Sequence, residues 1–175
     1  MGLGRRQAFE AEAAIALEKA ATTWLADHSV VADEALVPID AGGIIDMRPL
    51  MAVLLDMAQT FSKDSADIAA QTLGHGAALF HVALADGLAR WAVKTAHAQR
   101  IDTLALGGGC FLNRLLVKRL CDGLQRHARA RGLQPLRVLQ AQAVSCGDAG
   151  LALGQAWVGA HADVHASLHG VLPCA

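Results

Sequence analysis

The stretch LALGGGCFLNRLLVKRLCDGL, Leu104–Leu124, decides how this chain of 175 residues is read. Asp102 to Leu106 reads as a short strand that ends on Gly107, Gly108 and Gly109, and beyond them Leu116, Leu120 and Leu124 recur at the spacing of one helical face. The pattern is strand, glycine turn, helix. Glycines at such a turn let the backbone approach a ligand closely, and the free N–H groups of a helix start favour anions such as phosphate. Ligands of open α/β sheets also gather at the carboxyl ends of strands. The triplet is neither a G-x-G-x-x-G fingerprint nor a Walker A loop, since no G-K-S/T follows. A tight turn with close helix-to-strand packing therefore competes with nucleotide binding as the reading of these residues.

Downstream, Gly132 stops the helix, Leu136 to Ala141 reads as a second strand, and a polar loop through Ser145 and Gly147 leads into a helix from about Asp148 to Ala160. Strand, helix, strand, helix predicts an α/β layer with a small parallel sheet. Upstream the chain is mostly helical. Residues 8 to 26 place Phe9, Ala13, Leu17, Ala20 and Trp24 at helical spacing, and a Gly42-Gly43 turn within Leu36 to Pro49 suggests a small hairpin. A helix follows from Pro49 to Phe61, then a turn at Ser62 to Ser65. The longest helix is expected over Ile68 to Gln99, with Leu73, Phe80, Leu84, Leu88 and Trp91 on one side and Gly74 and Gly76 as points of bending. Residues 161–175 read as a weakly structured tail behind a domain of residues 1–160.

The 54% hydrophobic and 18% charged residues exclude a disordered chain. A net charge of -1 gives no overall field for nucleic acid or an anionic membrane, and 4% aromatics without Tyr argue against base-stacking surfaces. Cys110, Cys121, Cys146 and Cys174 never approach C-x-x-C spacing, so the expected compartment is reducing and cytoplasmic. Ile68 to Ala85 lacks charge but carries Gln71, Gly74, His75, Gly76 and His81, and reads as core helix rather than membrane span.

A second candidate site is VSCGDAGLALGQA, Val144–Ala156, where Asp148 lies between Gly147 and Gly150 at a helix start. Its carboxylate suits two tasks, capping free N–H groups or coordinating a divalent cation beside phosphates. His161, His165 and His169 recur every four residues and would share a helix face, the arrangement of a zinc site, although the segment lacks a carboxylate second shell. His81 beside Phe80 either reaches the cleft or, as is commoner for a lone helix histidine, is a satisfied packing residue, and Cys110 reads as packing rather than nucleophile. Arg114, Lys118, Arg119, Arg126, Arg129 and Arg131 form a basic helix face.

Taken together, GGGCFLNRLLVKRLCDGL and CGDAGLALGQA resemble the C-terminal part of the HypF family, the carbamoyltransferases of nickel–iron hydrogenase maturation, which show SGGVFQNRLL and PPNDGGIALGQA there. Ala8–Glu18, AFEAEAAIALE, resembles the family's YEGQAAMLLE. Ile45-Asp46 and Pro49-Leu50 resemble its D-x-x-P-L segment, and Phe80-His81 its F-H pair. The resemblance implies the second lobe of an actin/hexokinase-type, Kae1-like fold, helix-rich with a small mixed or parallel sheet. It implies a carbamoyl-adenylate, made from ATP and carbamoyl phosphate, whose carbamoyl group passes to the C-terminal cysteine of a HypE-type partner. By position, Gly107, Gly108, Gly109, Asn113 and Glu10 would contact the nucleotide, and Asp148 would bind a divalent metal, zinc, iron or magnesium.

The departures shape the expectation equally. The family's first-lobe H-x-x-x-H metal pair and D-G-T phosphate segment do not occur upstream of the matched region, Ala11 and Glu12 stand where Gly and Gln are usual, and Gly107 and Cys110 replace Ser and Val. The resemblance assigns no catalytic residue. It makes the chain a partial carbamoyltransferase, inactive alone, with the other lobe and domains as partners and an apolar cleft face that favours self-association. The alternatives are a non-catalytic binding module of the same fold and a relative of the threonylcarbamoyl transferases.

Overall fold

The computed structural model describes residues 8–9, 11–61 and 66–169 of the chain. It divides into two compact units: one takes the residues up to Leu104 together with Asn113–Val138, the other Ala105–Leu112 together with the residues from Leu139 on.

The first unit is built from four helices: α1 (Glu12–Asp27), α2 (Arg48–Phe61), α3 (Ala66–Gln99) and α4 (Arg114–Ala130). α3 is the central helix and packs against the other three. Its residues are therefore apolar nearly all round, as in a helix surrounded by neighbours. By length and composition Ile68–Gln99 would suffice to cross a membrane, but half of its apolar window is buried within the fold. The expected face of Leu73, Phe80, Leu84 and Leu88 is only half-buried and Trp91 is exposed. The buried line runs instead through small residues, among them Ala77, Ala78, Ala85, Ala89 and Ala96, because helices on several sides must come close.

Glycines mark the closest approaches. A Cβ at Gly74 would lie 2.9 Å from the Trp24 ring, one at Gly123 2.8 Å from the Ala89 Cβ, and one at Gly87 would run into Val37. α3 runs continuously through Gly74 and Gly76, and close packing against Trp24 gives Gly74 a reason of its own.

The Gly42-Gly43 turn forms as expected but supports a single antiparallel bridge, Ile39 to Ile45, rather than paired strands. Asp40 Oδ1 accepts the Ile44 N–H at 2.8 Å, and Gly43 takes φ +84. Trp91 Nε1 donates to the Gly43 carbonyl and Arg90 Nη2 to that of Val37, which fastens this segment to α3. Val37, Leu50, Leu54, Leu79 and Ala83 form the apolar core beneath it. The D-x-x-P-L segment opens α2: Asp46 accepts the Arg48 N–H and pairs with its guanidinium, which holds the carboxyl down at about 2.

Between α3 and α4 lies a charged node. Asp86 accepts from Arg90 Nε at 3.0 Å, Arg126 Nη2 at 2.6 Å and His127 Nε2 at 2.8 Å. Burial pushes its carboxyl up, but the bonds from His127, Arg90 and Arg126 outweigh that and hold it below the usual carboxylate range.

Two strands, β1 (Thr103–Leu106) and β2 (Arg137–Gln140), pair into the small parallel sheet expected from the sequence. α4 lies between them in the chain, as a parallel pair requires. Gly132, at φ +66, ends α4 as foreseen. The second unit holds the glycine turn, the loop after β2, and α5 (Leu151–His169), which runs past the expected end at Ala160 because neither Gly nor Pro interrupts the chain between Ala160 and Gly170.

Candidate functional site

Asn113, expected to touch a nucleotide, is the N-cap of α4. Its Oδ1 accepts the Leu116 N–H at 2.8 Å, which fixes the amide orientation, since a backbone N–H can only donate. Its Nδ2 then faces His81 Nε2 at 2.9 Å. On its other side His81 Nδ1 lies 2.8 Å from the Ala77 carbonyl, which can only accept, so Nδ1 carries the proton and Nε2 the lone pair. His81 is 2% exposed. Burial pushes its pKa below the ordinary histidine value, against the opposing pull of the Ala77 carbonyl and the Glu18 carboxylate. Glu18 Oε1 accepts the Leu115 N–H at 3.2 Å. The start of α4 is thus served from within, by one carboxylate and one amide. This lessens the general anion preference that its position at a helix start suggested.

The second unit brings Gly107, Gly108 and Gly109 together with the Asp148 loop. Gly108, at φ +105, needs its glycine for backbone reasons and donates its N–H to the Cys146 carbonyl. Gly107 and Gly109 have neither requirement: their φ is not positive, and an added Cβ would meet nothing within 4 Å. The tight-turn explanation of the triplet therefore covers Gly108 alone, through its φ and not through close packing. Across from the turn, a Cβ on Gly147 would sit 3.5 Å from Gly109 Cα, so the two backbones are in contact. Ser145 Oγ accepts the Gly147 N–H at 3.1 Å, Gly150 N donates to Gly147 O at 2.9 Å, and a Cβ on Gly150 would strike the Ser145 carbonyl. This tightly folded loop presents Asp148 at the first turn before α5, exposed and not acting as the cap, which is Gly147. Of the two tasks open to it, capping is not the one it performs. A single exposed carboxylate fits one position in a cation's coordination sphere. Among the described residues no group of three or more His, Cys, Asp or Glu converges.

Glu10 lies outside the described residues, as does Cys174. α5 carries His161, His165 and His169 along one helix; His161 stacks on Trp157 at 4.3 Å and bonds the Trp157 carbonyl through Nδ1, while the side chains of the other two are outside the description. Cys110 is exposed beside the glycine turn rather than packed. Part of the basic face of α4 is already paired, Lys118 with Asp122 and Arg126 with Asp86. Sequence reasoning passed over Glu18 and underrated His81. Their partners lie 97 and 32 residues away, beyond the reach of local spacing.

Residues 1–155 match the family model for the second subdomain of the Kae1-like domain of carbamoyltransferases. A carbamoyltransferase HypF homolog of Cupriavidus necator is 46% identical over 160 residues, which are 91% of this chain and 37% of that protein. Carbamoyltransferase HypF2 of the same organism is 39% identical over 120 residues, 69% of this chain and 12% of its own length. The chain thus spans well under half the length of these relatives. A crystal structure of HypF from T. kodakarensis is similar with a TM-score of 0.63 at 26% identity, over 91% of this chain and 18% of that one. One of full-length HypF in its phosphate- and nucleotide-bound form reaches 0.65 at 23% identity, over 90% and 18%, a likeness of fold. With the order of its motifs, its helix-rich fold and these relatives in agreement, the chain belongs to the carbamoyltransferase HypF family, as the second subdomain of the Kae1-like domain.

Proposed function

We propose that this chain supplies the nucleotide-holding half of a carbamoyl transfer site. In this reading carbamoyl-adenylate, formed from ATP and carbamoyl phosphate in another domain, lies against Gly107, Gly108 and Gly109. The family resemblance adds Asn113 and Glu10 as further nucleotide contacts. The acceptor is the C-terminal cysteine thiol of a HypE-type maturation protein: its sulfur bonds the carbamoyl carbon, the carbon–oxygen bond to phosphate breaks, AMP leaves and the thiol proton is released. The product serves synthesis of the cyanide ligand of nickel–iron hydrogenase. The observation that carries this reading is that Gly107 and Gly109 answer no internal demand for glycine and leave the turn open beside an exposed Asp148.

Asp148 would hold one position of a divalent cation whose other ligands come from the first lobe. Such a cation screens phosphate charge and polarises the group under attack. This chain's own contribution is to keep that carboxylate presented, through the Ser145–Gly147 turn, and to leave room for the nucleotide at the glycines. The test is AMP release from ATP plus carbamoyl phosphate, measured for the chain alone and joined to the missing domains. The chain alone is expected to release none. The joined enzyme turns over, and Asp148→Ala lowers its rate by at least about 100-fold. Metal-dependent turnover by the chain alone, or an unaffected Asp148→Ala enzyme, overturns the reading.

A further inference from the structure

Asn113 carries an acceptor oxygen with two lone pairs and two N–H donors. The acceptor is committed to Leu116 N, and the only neutral arrangement compatible with the Ala77 carbonyl leaves His81 Nε2 as an acceptor for one of the donors. One N–H remains. Reversing the amide would set its oxygen against the His81 lone pair and its NH2 against the Leu116 N–H, so two contacts oppose the reversal. We propose that His81 is a positioning residue that fixes the Asn113 amide so that its remaining N–H is presented, as a donor, to whatever the start of α4 faces. The matching ligand atom must accept: a ribose or phosphate oxygen, or a ring nitrogen, of the nucleotide. This deepens the function proposed above and rests on it for the identity of the ligand, while the orientation of Asn113 stands on the geometry of this chain alone.

His81 fits the task because it stays neutral. It sits buried on α3 and faces the Glu18 carboxylate from α1 and the neutral Asn113 amide at the start of α4. Burial outweighs the carboxylate's pull toward the imidazolium. An imidazolium would put an N–H against the Asn113 amide protons and turn the amide round.

The test uses nitrogen-15 histidine spectra of the full chain and titration calorimetry with magnesium–ATP. Wild-type His81 is expected to show the Nδ1–H neutral tautomer at neutral pH and to take up its second proton at a lower pH than an ordinary histidine. In Asn113→Asp a carboxylate faces Nε2, so the same ring should become protonated at a pH at least one unit higher. His81→Leu leaves one Asn113 N–H unpaired and the amide free to turn, and should weaken magnesium–ATP about tenfold, the worth of one oriented hydrogen bond. His81→Gln, whose carbonyl can accept from Asn113, should recover most of that loss. An Nε2–H tautomer in the wild type, or unaltered titration in Asn113→Asp, overturns the proposal, as does a folded His81→Leu chain that binds as the wild type does. Should the wild type bind no ATP, the nucleotide reading fails, and the spectra of wild type and Asn113→Asp still decide the role of His81.

Discussion

Along the seam where α3 meets its neighbours, a Cβ added to Gly123 would come within 2.8 Å of Ala89 and one added to Gly87 would run into Val37, whereas at Gly107 and Gly109 it would meet nothing within 4 Å. The first pair is held to glycine by the protein's own packing. The second pair is free of that demand, and free also of a positive φ. A glycine that its own fold does not require is where the proposed nucleotide contact would make its demand. Substitutions of equal size at these two places should therefore separate stability from ligand binding.

The largest effect belongs to the packed seam. Asp86 and Arg90 are buried there, and Asp86→Asn would leave the Arg90 guanidinium with only the exposed Glu34 carboxylate at 3.8 Å, a loss of about 3 kcal/mol of folding free energy in urea denaturation. The wild type should also carry an acid signature. The Asp86 carboxyl titrates lower in the folded chain than in the unfolded one, whose value is near 3.9, so the unfolded state binds the extra proton in that range. Its contribution is complete above about pH 4 and disappears as pH falls through the folded value. Urea midpoints measured between pH 2.5 and 6 should fall more steeply in acid for the wild type than for Asp86→Asn.

Next come Gly87→Ala and Gly123→Ala. Either methyl group must displace a neighbour that is part of the core, and each should cost about 2 kcal/mol despite the better helix propensity of alanine. A stable Gly123→Ala chain would mean that α3 and α4 can move apart, and the seam would lose its contrast with the glycine turn.

How legible this was from the sequence depended on how far apart the interacting residues lie. Leu116, Leu120 and Leu124 are buried as their spacing predicted, since a polar-backed helix announces its inner face by period alone. α3 did not. In a helix surrounded by neighbours the apolar residues have no single side, and the positions that matter are the small ones. Helix ends divide in the same way. α3 and α4 stop in the same manner, with Ile101 N bonding Ala96 O and Leu133 N bonding Ala128 O. The left-handed residue is Gly132 in α4, readable at once, but Arg100 in α3, at φ +55, which no spacing rule marks. Arg100→Gly should relieve that conformation and raise stability by about 1 kcal/mol, visible as a higher thermal midpoint. The node at Asp86 and the link from His81 to Asn113 join residues 32 to 41 apart, and only the folded chain reveals them.

The smallest change in stability is expected where the functional effect is greatest. Gly107→Ala and Gly109→Ala add a methyl group to open space at an allowed backbone conformation, so the folded chain should keep its stability within about 0.5 kcal/mol, with a slight gain because the unfolded chain loses freedom. Gly108→Ala is the internal control: its φ of +105 makes it lose about 1 kcal/mol whatever binds there. If the open turn is a ligand surface, the two mild substitutions should weaken magnesium–ATP binding about tenfold or more, because the added carbon occupies the space that the absence of a side chain keeps clear. Unchanged binding in a chain of unchanged stability would return the triplet to an ordinary turn, with Gly108 as its one necessary glycine.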